Sequence, residues 1–179
     1  MLNSRPVANA RRSSAGGFTI VELLIVIVVI GILAAITIVA YNGVQARAQL
    51  AQRQADTSTY LKAILLAREN TGKVLKDITT STWSIGSCAA SSGNTGNVVP
   101  KDLPKTHACW VRYYDNLARI GAAAGMNLDG LKDGDANGNP YGLDENEGET
   151  CATDRMYYFT GTGASYSQVL EVDRYTGSC

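Results

Sequence analysis

Residues Phe18 to Ala40 form 23 consecutive positions with a single charged side chain, Glu22. A run of that length spans about 34 Å as a helix, enough to cross a bilayer. Val and Ile dominate it, and in water they favour strand. In lipid the backbone must satisfy its own hydrogen bonds, which selects helix. Glu22 is then the anomaly. A charge inside hydrocarbon costs roughly 2.5–3.5 kcal/mol on insertion scales. The carboxylate therefore points to a function beyond anchoring.

Residues 1–17 contain Arg5, Arg11 and Arg12 and no acid. Arg11 and Arg12 place that end in the cytoplasm and the rest of the chain outside. A secretory signal is cut after its apolar core. Here the small pair Gly16-Gly17 precedes the core, and the run continues past Ala34-Ala35. The helix is thus expected to be retained. Gly31 either loosens it or permits close packing against a neighbour.

Beyond Tyr41 the pattern becomes amphipathic. Val44, Ala48, Ala51, Ala55, Leu61, Ile64 and Leu65 recur at helical spacing, with Gln and Arg on the other face. Asn70-Thr71-Gly72 reads as the stop. Asn42-Gly43 is the expected weak point. The organisation is a leader at 1–17, a transmembrane helix at 18–41, its amphipathic continuation at 42–72 and a globular head at 73–179. The fold class is α+β, with the outer half of the helix packed on a small antiparallel sheet. Within the head, residues 91–97 read as a loop. A helix is predicted from Trp110 to about Ala124, with Val111, Tyr114, Leu117 and Ala118 on one side. Asp129 to Glu149 is predicted to be a long loop. Arg155–Thr160 and Tyr166–Asp173 are predicted strands joined across 161–165.

All four cysteines, Cys88, Cys109, Cys151 and Cys179, follow the apolar run. With no Cys-x-x-Cys pair and one histidine, His107, a zinc site is not indicated. An even count outside a membrane fits two disulfides. Four cysteines allow three pairings. Cys88–Cys109 and Cys151–Cys179 are favoured because each closes a local loop. His107 has no visible catalytic partners and reads as a surface or hydrogen-bonded side chain. No phosphate-binding loop or nucleophile constellation is apparent, so no enzyme is expected. Removing residues 1–17 leaves 13 basic against 16 acidic groups, a net charge of −3. That argues against a bulk electrostatic grip on nucleic acid.

The basic leader, Gly17 before Phe18, Thr19, Glu22, the apolar run, Gly31 and Tyr41 together resemble the type IV pilin family, which includes the pseudopilins of type II secretion. The resemblance covers residues 11–55 most strongly. It implies a prepilin peptidase cutting between Gly17 and Phe18, and a methylase acting on the new Phe18 amine. It implies that the carboxylate at Glu22 pairs with the Phe18 amine of a neighbouring subunit in a filament core, although pairing within one subunit is also conceivable. It further implies an assembly platform driven by a separate ATPase, identical or related subunits as partners, and a disulfide tying down the tail at Cys179. The precursor would be a single-pass inner-membrane protein and the product an extracellular or periplasmic filament. Many family members carry a helix-kinking proline where this chain has Val39, so bending there is an open point.

Asp133, Asp135, Asn137, Gly138, Asn139 and Asp144 lie near the spacing of a calcium-binding EF-hand loop. Calcium is therefore a candidate ligand, against an Asx- and Gly-rich loop without metal. Separately, Asp135 with Gly138-Asn139-Pro140-Tyr141 resembles a structural turn of major pseudopilins. Three functions follow. The first is a type IV pilus subunit serving adhesion, twitching motility or DNA uptake, with nucleic acid a partner only in the last. The second is a secretion pseudopilin. The third is a single-pass ectodomain that binds calcium or another ligand.

Overall fold

The computed structural model describes residues 17–89, 98–146, 153–161 and 165–173. The chain divides into two compact units, Met1–Val44 and Gln45–Cys179. Helix α1 runs from Ile20 to Thr71 and contributes to both. It remains helical through residues 39–43, where a bend was an open point.

In the first unit α1 is apolar all round. Its large side chains from Ile20 to Tyr41 are exposed, apart from Val39, whose side chain lies outside the described residues. Burial therefore contributes nothing to this stretch within the single chain. Its helicity rests on internal hydrogen bonds, which an apolar environment strengthens because no water competes.

In the second unit α1 is Ala-, Gln- and Leu-rich, a composition of strong helix formers. Gly72 stops it. This residue takes φ +67°, and its N–H reaches the Arg68 carbonyl at 2.8 Å. Only glycine adopts that left-handed cap without strain. The buried stripe is Tyr60, Ala63, Ile64 and Ala67, one face at i, i+3, i+4 and i+7. The expected apolar stripe differs from it. Val44, Ala48, Ala51 and Ala55 are exposed, as is Leu65, and burial on this face starts with the half-covered Gln49, Arg53 and Asp56. The head-facing stripe is thus more polar than hydrophobic periodicity predicted.

A short helix α2 (Leu75–Thr79) follows. Helix α3 (Ala108–Ala124) carries most of the remaining core. Trp110, Tyr113, Leu117, Ile120 and Ala124 are its buried face. Val111, predicted to lie on that face, is 52% exposed. Trp110 is the residue that fixes the rotation. It is fully buried, and its indole N–H donates to the Pro100 carbonyl at 3.0 Å. His107 caps α3, its Nδ1 accepting the Cys109 N–H at 3.2 Å. Its role is therefore a hydrogen-bonded structural one.

Three antiparallel strands complete the fold in the order β1 (Gly142–Asp144), β2 (Asp154–Phe159) and β3 (Tyr166–Val172). Leu143 pairs with Met156, and Asp154 with Val172. A register shift opposite the Met156–Tyr157 step leaves Val169 of β3 without a partner, a bulge in β3. Strand β1 lies inside the stretch predicted as loop, and it exists because β2 supplies its ladder. Gly142 is required there, since a Cβ would fall 2.5 Å from the Ile85 side chain. Leu143, Met156 and Val172 join the α1 and α3 faces in one core. Ile85, Phe159 and the Cys88–Cys109 disulfide form a second cluster. That disulfide closes a 21-residue separation, worth about 3 kcal/mol in the chain-entropy picture. Cys151 and Cys179 lie outside the described residues.

Candidate assembly helix and head sites

The N-terminal turn of α1 resolves how Glu22 is held. Thr19 is the residue before the helix, and Glu22 is the third residue within it. The Thr19 N–H donates to Glu22 Oε2 at 2.8 Å, and the Thr19 hydroxyl donates to the same oxygen at 2.8 Å. In return the Glu22 N–H donates to Thr19 Oγ1 at 3.2 Å. The Leu23 N–H reaches the Thr19 carbonyl at 3.3 Å and begins the helical ladder. This is a reciprocal capping box, which satisfies orphan donors that a helix start would otherwise leave open. In hydrocarbon each unsatisfied donor costs several kcal/mol. The negative carboxylate also complements the positive end of the helix dipole.

Sequence reasoning placed Thr19 in the motif but gave it no role. The signal was present in the spacing Thr19-Ile20-Val21-Glu22, a Ser/Thr-x-x-Glu pattern ahead of an apolar run. Gly17 and Phe18 precede the cap and are exposed, Phe18 to 84%. The expected cleavage position thus lies just outside the helix. After it, α1 is long and apolar enough to cross a membrane. The Thr37 hydroxyl is spent within the helix on the Ala34 carbonyl at 3.0 Å.

The second candidate, the loop around Asp135, is folded on itself. Asp135 Oδ1 accepts the N–H groups of Asn137 and Asn139, each at 2.9 Å. The Asp135 N–H returns to the Asn139 carbonyl at 2.8 Å. Asn139 Oδ1 accepts the Lys101 N–H at 3.0 Å. Gly134 takes φ +82°, and a Cβ there would fall 2.1 Å from the Asn139 carbonyl oxygen, so glycine permits the closure. Of the five predicted ligands, Asp135 and Asn139 are buried, whereas Asp133 and Asn137 are exposed. Asp144 lies on β1 opposite Arg155. Among the described residues no three acidic, His or Cys side chains gather into a metal-sized group. Calcium needs six to eight oxygens, and this loop directs its best-placed carboxylate oxygen to its own backbone.

The same loop is joined to α1. The Tyr141 hydroxyl donates to Asp56 Oδ2 at 2.9 Å. Partial burial raises the Asp56 carboxyl above the ordinary carboxylate range; the Tyr141 bond opposes the shift and the Asp135 charge adds to it. Two buried acids complete the head. Glu145 Oε2 accepts the Ser84 N–H at 2.8 Å and Glu145 Oε1 the Ser84 hydroxyl. Burial raises its carboxyl, against the hydrogen bonds from Ser84 and Thr79. Asp154 is fully buried and meets the Arg68 guanidinium at 2.7 Å, while Arg68 Nη1 donates to the Asp173 carbonyl at 2.7 Å.

A helix long and apolar enough to cross a membrane, with a capped, charged first turn, leads into a disulfide-bonded α+β head. Residues 12–38 match the prokaryotic N-terminal methylation motif family. The chain is 29% identical over 122 residues to the type IV major pilin protein PilE of Neisseria gonorrhoeae, covering 58% of this chain and 71% of PilE. It is 31% identical over 116 residues to PilE1 of the same organism, covering 54% of this chain and 68% of PilE1. No solved structure matches. The chain belongs to the type IV pilin family. Its fold is that family's α+β arrangement of a long N-terminal helix and a small antiparallel sheet. It is accordingly a pilin-type structural subunit, of a family that is not enzymatic and assembles with related subunits.

Proposed function

We propose that this chain is the subunit of a surface type IV pilus, held in the inner membrane by α1 until it is drawn into the filament. Residues 1–17 lie on the cytoplasmic side and are cut off between Gly17 and Phe18. Cleavage removes the arginines that would resist withdrawal from the bilayer, and it frees the Phe18 amine. A methylase then modifies that amine. In the filament, Glu22 of one subunit accepts the Phe18 ammonium of the next, so that two charges costly in an apolar core compensate each other. A separate ATPase drives the transfer.

The observation that carries this reading is the uncovered apolar surface of α1. From Phe18 to Leu50 its large apolar side chains are exposed wherever they are described. That surface continues past Tyr41 through Val44, Ala48 and Leu50, beyond what a bilayer core of about 30 Å requires. An anchor alone gives no reason for those outer residues. A bundle of identical helices does. The relatives are named as major pilins, which favours a surface pilus over the short fibre of a secretion system.

The test is imaging of sheared surface filaments with mass spectrometry of their subunit. The expected result is this chain beginning at a methylated Phe18. Glu22→Ala should stay membrane-inserted and fail to enter filaments. Normal filament yield from that variant would overturn the role of Glu22. Recovery of the chain only in periplasmic fibres would favour the pseudopilin reading. An uncut Gly17–Phe18 bond would favour the single-pass ectodomain.

A further inference from the structure

We propose that Thr19 is a positioning residue for assembly: it holds Glu22 Oε2 within the subunit and leaves Oε1 for the neighbour's ammonium. The proposal rests on the filament reading above and adds a step that reading lacks, namely what Glu22 does before a neighbour arrives.

The geometry divides the two carboxylate oxygens. Both donors of Thr19, its N–H and its hydroxyl, converge on Oε2 at 2.8 Å. The third bond of the box runs from the Glu22 N–H to Thr19 Oγ1 at 3.2 Å. None of the three uses Oε1. Charge-assisted bonds of this kind are roughly twice as strong as neutral ones, and in hydrocarbon no water competes with them. An unassembled subunit therefore has a partner for its carboxylate. Entry into the filament adds an ammonium at the second oxygen and breaks none of the existing bonds. Two donors on one oxygen also fix the side-chain torsions, so less rotamer entropy is lost when the neighbour binds.

The two donors make separable predictions. The N–H survives any non-proline substitution, whereas the hydroxyl requires Ser or Thr. Thr19→Val keeps the shape and β-branching while removing one donor to Oε2 and the acceptor for the Glu22 N–H. Thr19→Ser keeps all three bonds. A role confined to filling space would be preserved by Val. A role in positioning would be preserved by Ser.

The experiment uses the full mature chain in lipid nanodiscs, with a 13C label at the Glu22 carboxyl, alongside filament yield in cells. In Thr19→Val the carboxyl resonance should move, the Glu22 amide should exchange about fivefold faster, as loss of a cap predicts, and filament yield should fall. Thr19→Ser should restore all three. An unmoved resonance and unchanged exchange in Thr19→Val would overturn the capping geometry. A moved resonance with normal filament yield would overturn the assembly role. Normal filaments from Glu22→Ala, with the Thr19 spectra as expected, would refute the underlying filament reading and leave the cap standing.

Discussion

Replacing Arg68 with methionine tests the energetics of the head most directly. Arg68 projects from the buried stripe of α1 and reaches Asp154 at the start of β2, with side-chain exposures of 2% and 0%. Its Nη1 also donates to the Asp173 carbonyl just past β3. One guanidinium therefore ties the helix to two strands. Methionine preserves the length and apolar stem and removes the charge. Asp154 then remains buried, deprived of its cation. Breaking a buried pair from one side costs about 3–5 kcal/mol. Domains of this size are stable by roughly 5–15 kcal/mol in total, so the loss is a large fraction of the whole. At about 4 °C per kcal/mol for a unit of this length, the melting point should fall by roughly 12–20 °C. The measurement is denaturant unfolding of the full chain in mild detergent, followed by near-ultraviolet circular dichroism from Trp110 and Tyr113. The double variant Arg68→Met/Asp154→Leu removes both charges. It should recover most of the loss, because a buried pair replaced by apolar residues of similar volume is often neutral. About 1 kcal/mol should remain lost for the bond to the Asp173 carbonyl. A cost below about 1 kcal/mol for Arg68→Met, or a double variant no better than the single, would refute the view that a desolvated carboxylate dominates this site.

Further tests address the caps, the acids and the loops. His107→Ala should cost about 1 kcal/mol by removing the α3 cap, and His107→Asn should restore it; equal stability of all three forms would refute a capping role. The Asp56 carboxyl is raised in the folded state, so the fold binds this proton more readily than the unfolded chain, and its contribution weakens as pH rises through the folded value. Asp56→Asn should then be the more stable form at pH 7, with the gap closing as pH falls towards the ordinary carboxylate range; a pH-independent gap would contradict the shift. Calcium at the Asp133–Asp144 loop stands as a proposal that requires the loop to reopen, and it predicts a melting point raised by added calcium and lowered by EGTA, whereas unchanged curves would exclude it. Cys151–Cys179, favoured because it closes a local loop, is expected to be the second disulfide; non-reducing peptide mapping that joins Cys151 to another cysteine would refute it.

The helix and its charge were legible because both signals are local. A 23-residue apolar run needs no tertiary context, and the cap lies within four residues. Strands β2 and β3 were legible within a residue at each end, since aromatic and β-branched residues cluster there. Strand β1 was not. Gly142-Leu143-Asp144 has no strand propensity of its own and becomes strand only by pairing with β2. The rotation of α1 in the head was misjudged for a related reason. Hydrophobic periodicity rewards Val44, Ala51 and Leu65, yet the buried side carries Arg68, with Asp56 half-covered beside it. Those residues are tolerated inside because Asp154 and Tyr141, 86 and 85 residues away, supply partners. No local pattern encodes such distant compensation. The EF-hand spacing is a local pattern that does not by itself select one reading. Its residue types suit calcium, but they suit an Asx turn equally well, and backbone N–H groups close at hand take the same oxygens.

These two kinds of partnership suggest how assembly is controlled. In the head, each inward-facing charge of α1 has a partner within the same chain, so the head gains nothing by exchanging them with a neighbour. The N-terminal turn is likewise closed by Thr19 and needs no neighbour to begin a helix in lipid. In the N-terminal half of α1, among the described residues, the apolar surface is uncovered and none of the capping bonds uses Oε1 of Glu22. Packing of apolar helices is non-directional and tolerates many registers, since lipid tails and neighbouring helices offer similar contacts. A single ammonium–carboxylate pair does not tolerate them, because a shift of one residue leaves both charges without a partner. Under the proposed pairing of Glu22 with a neighbour's ammonium, the apolar surface would supply the area of association, and the Glu22 oxygen not bound by Thr19 would select the register.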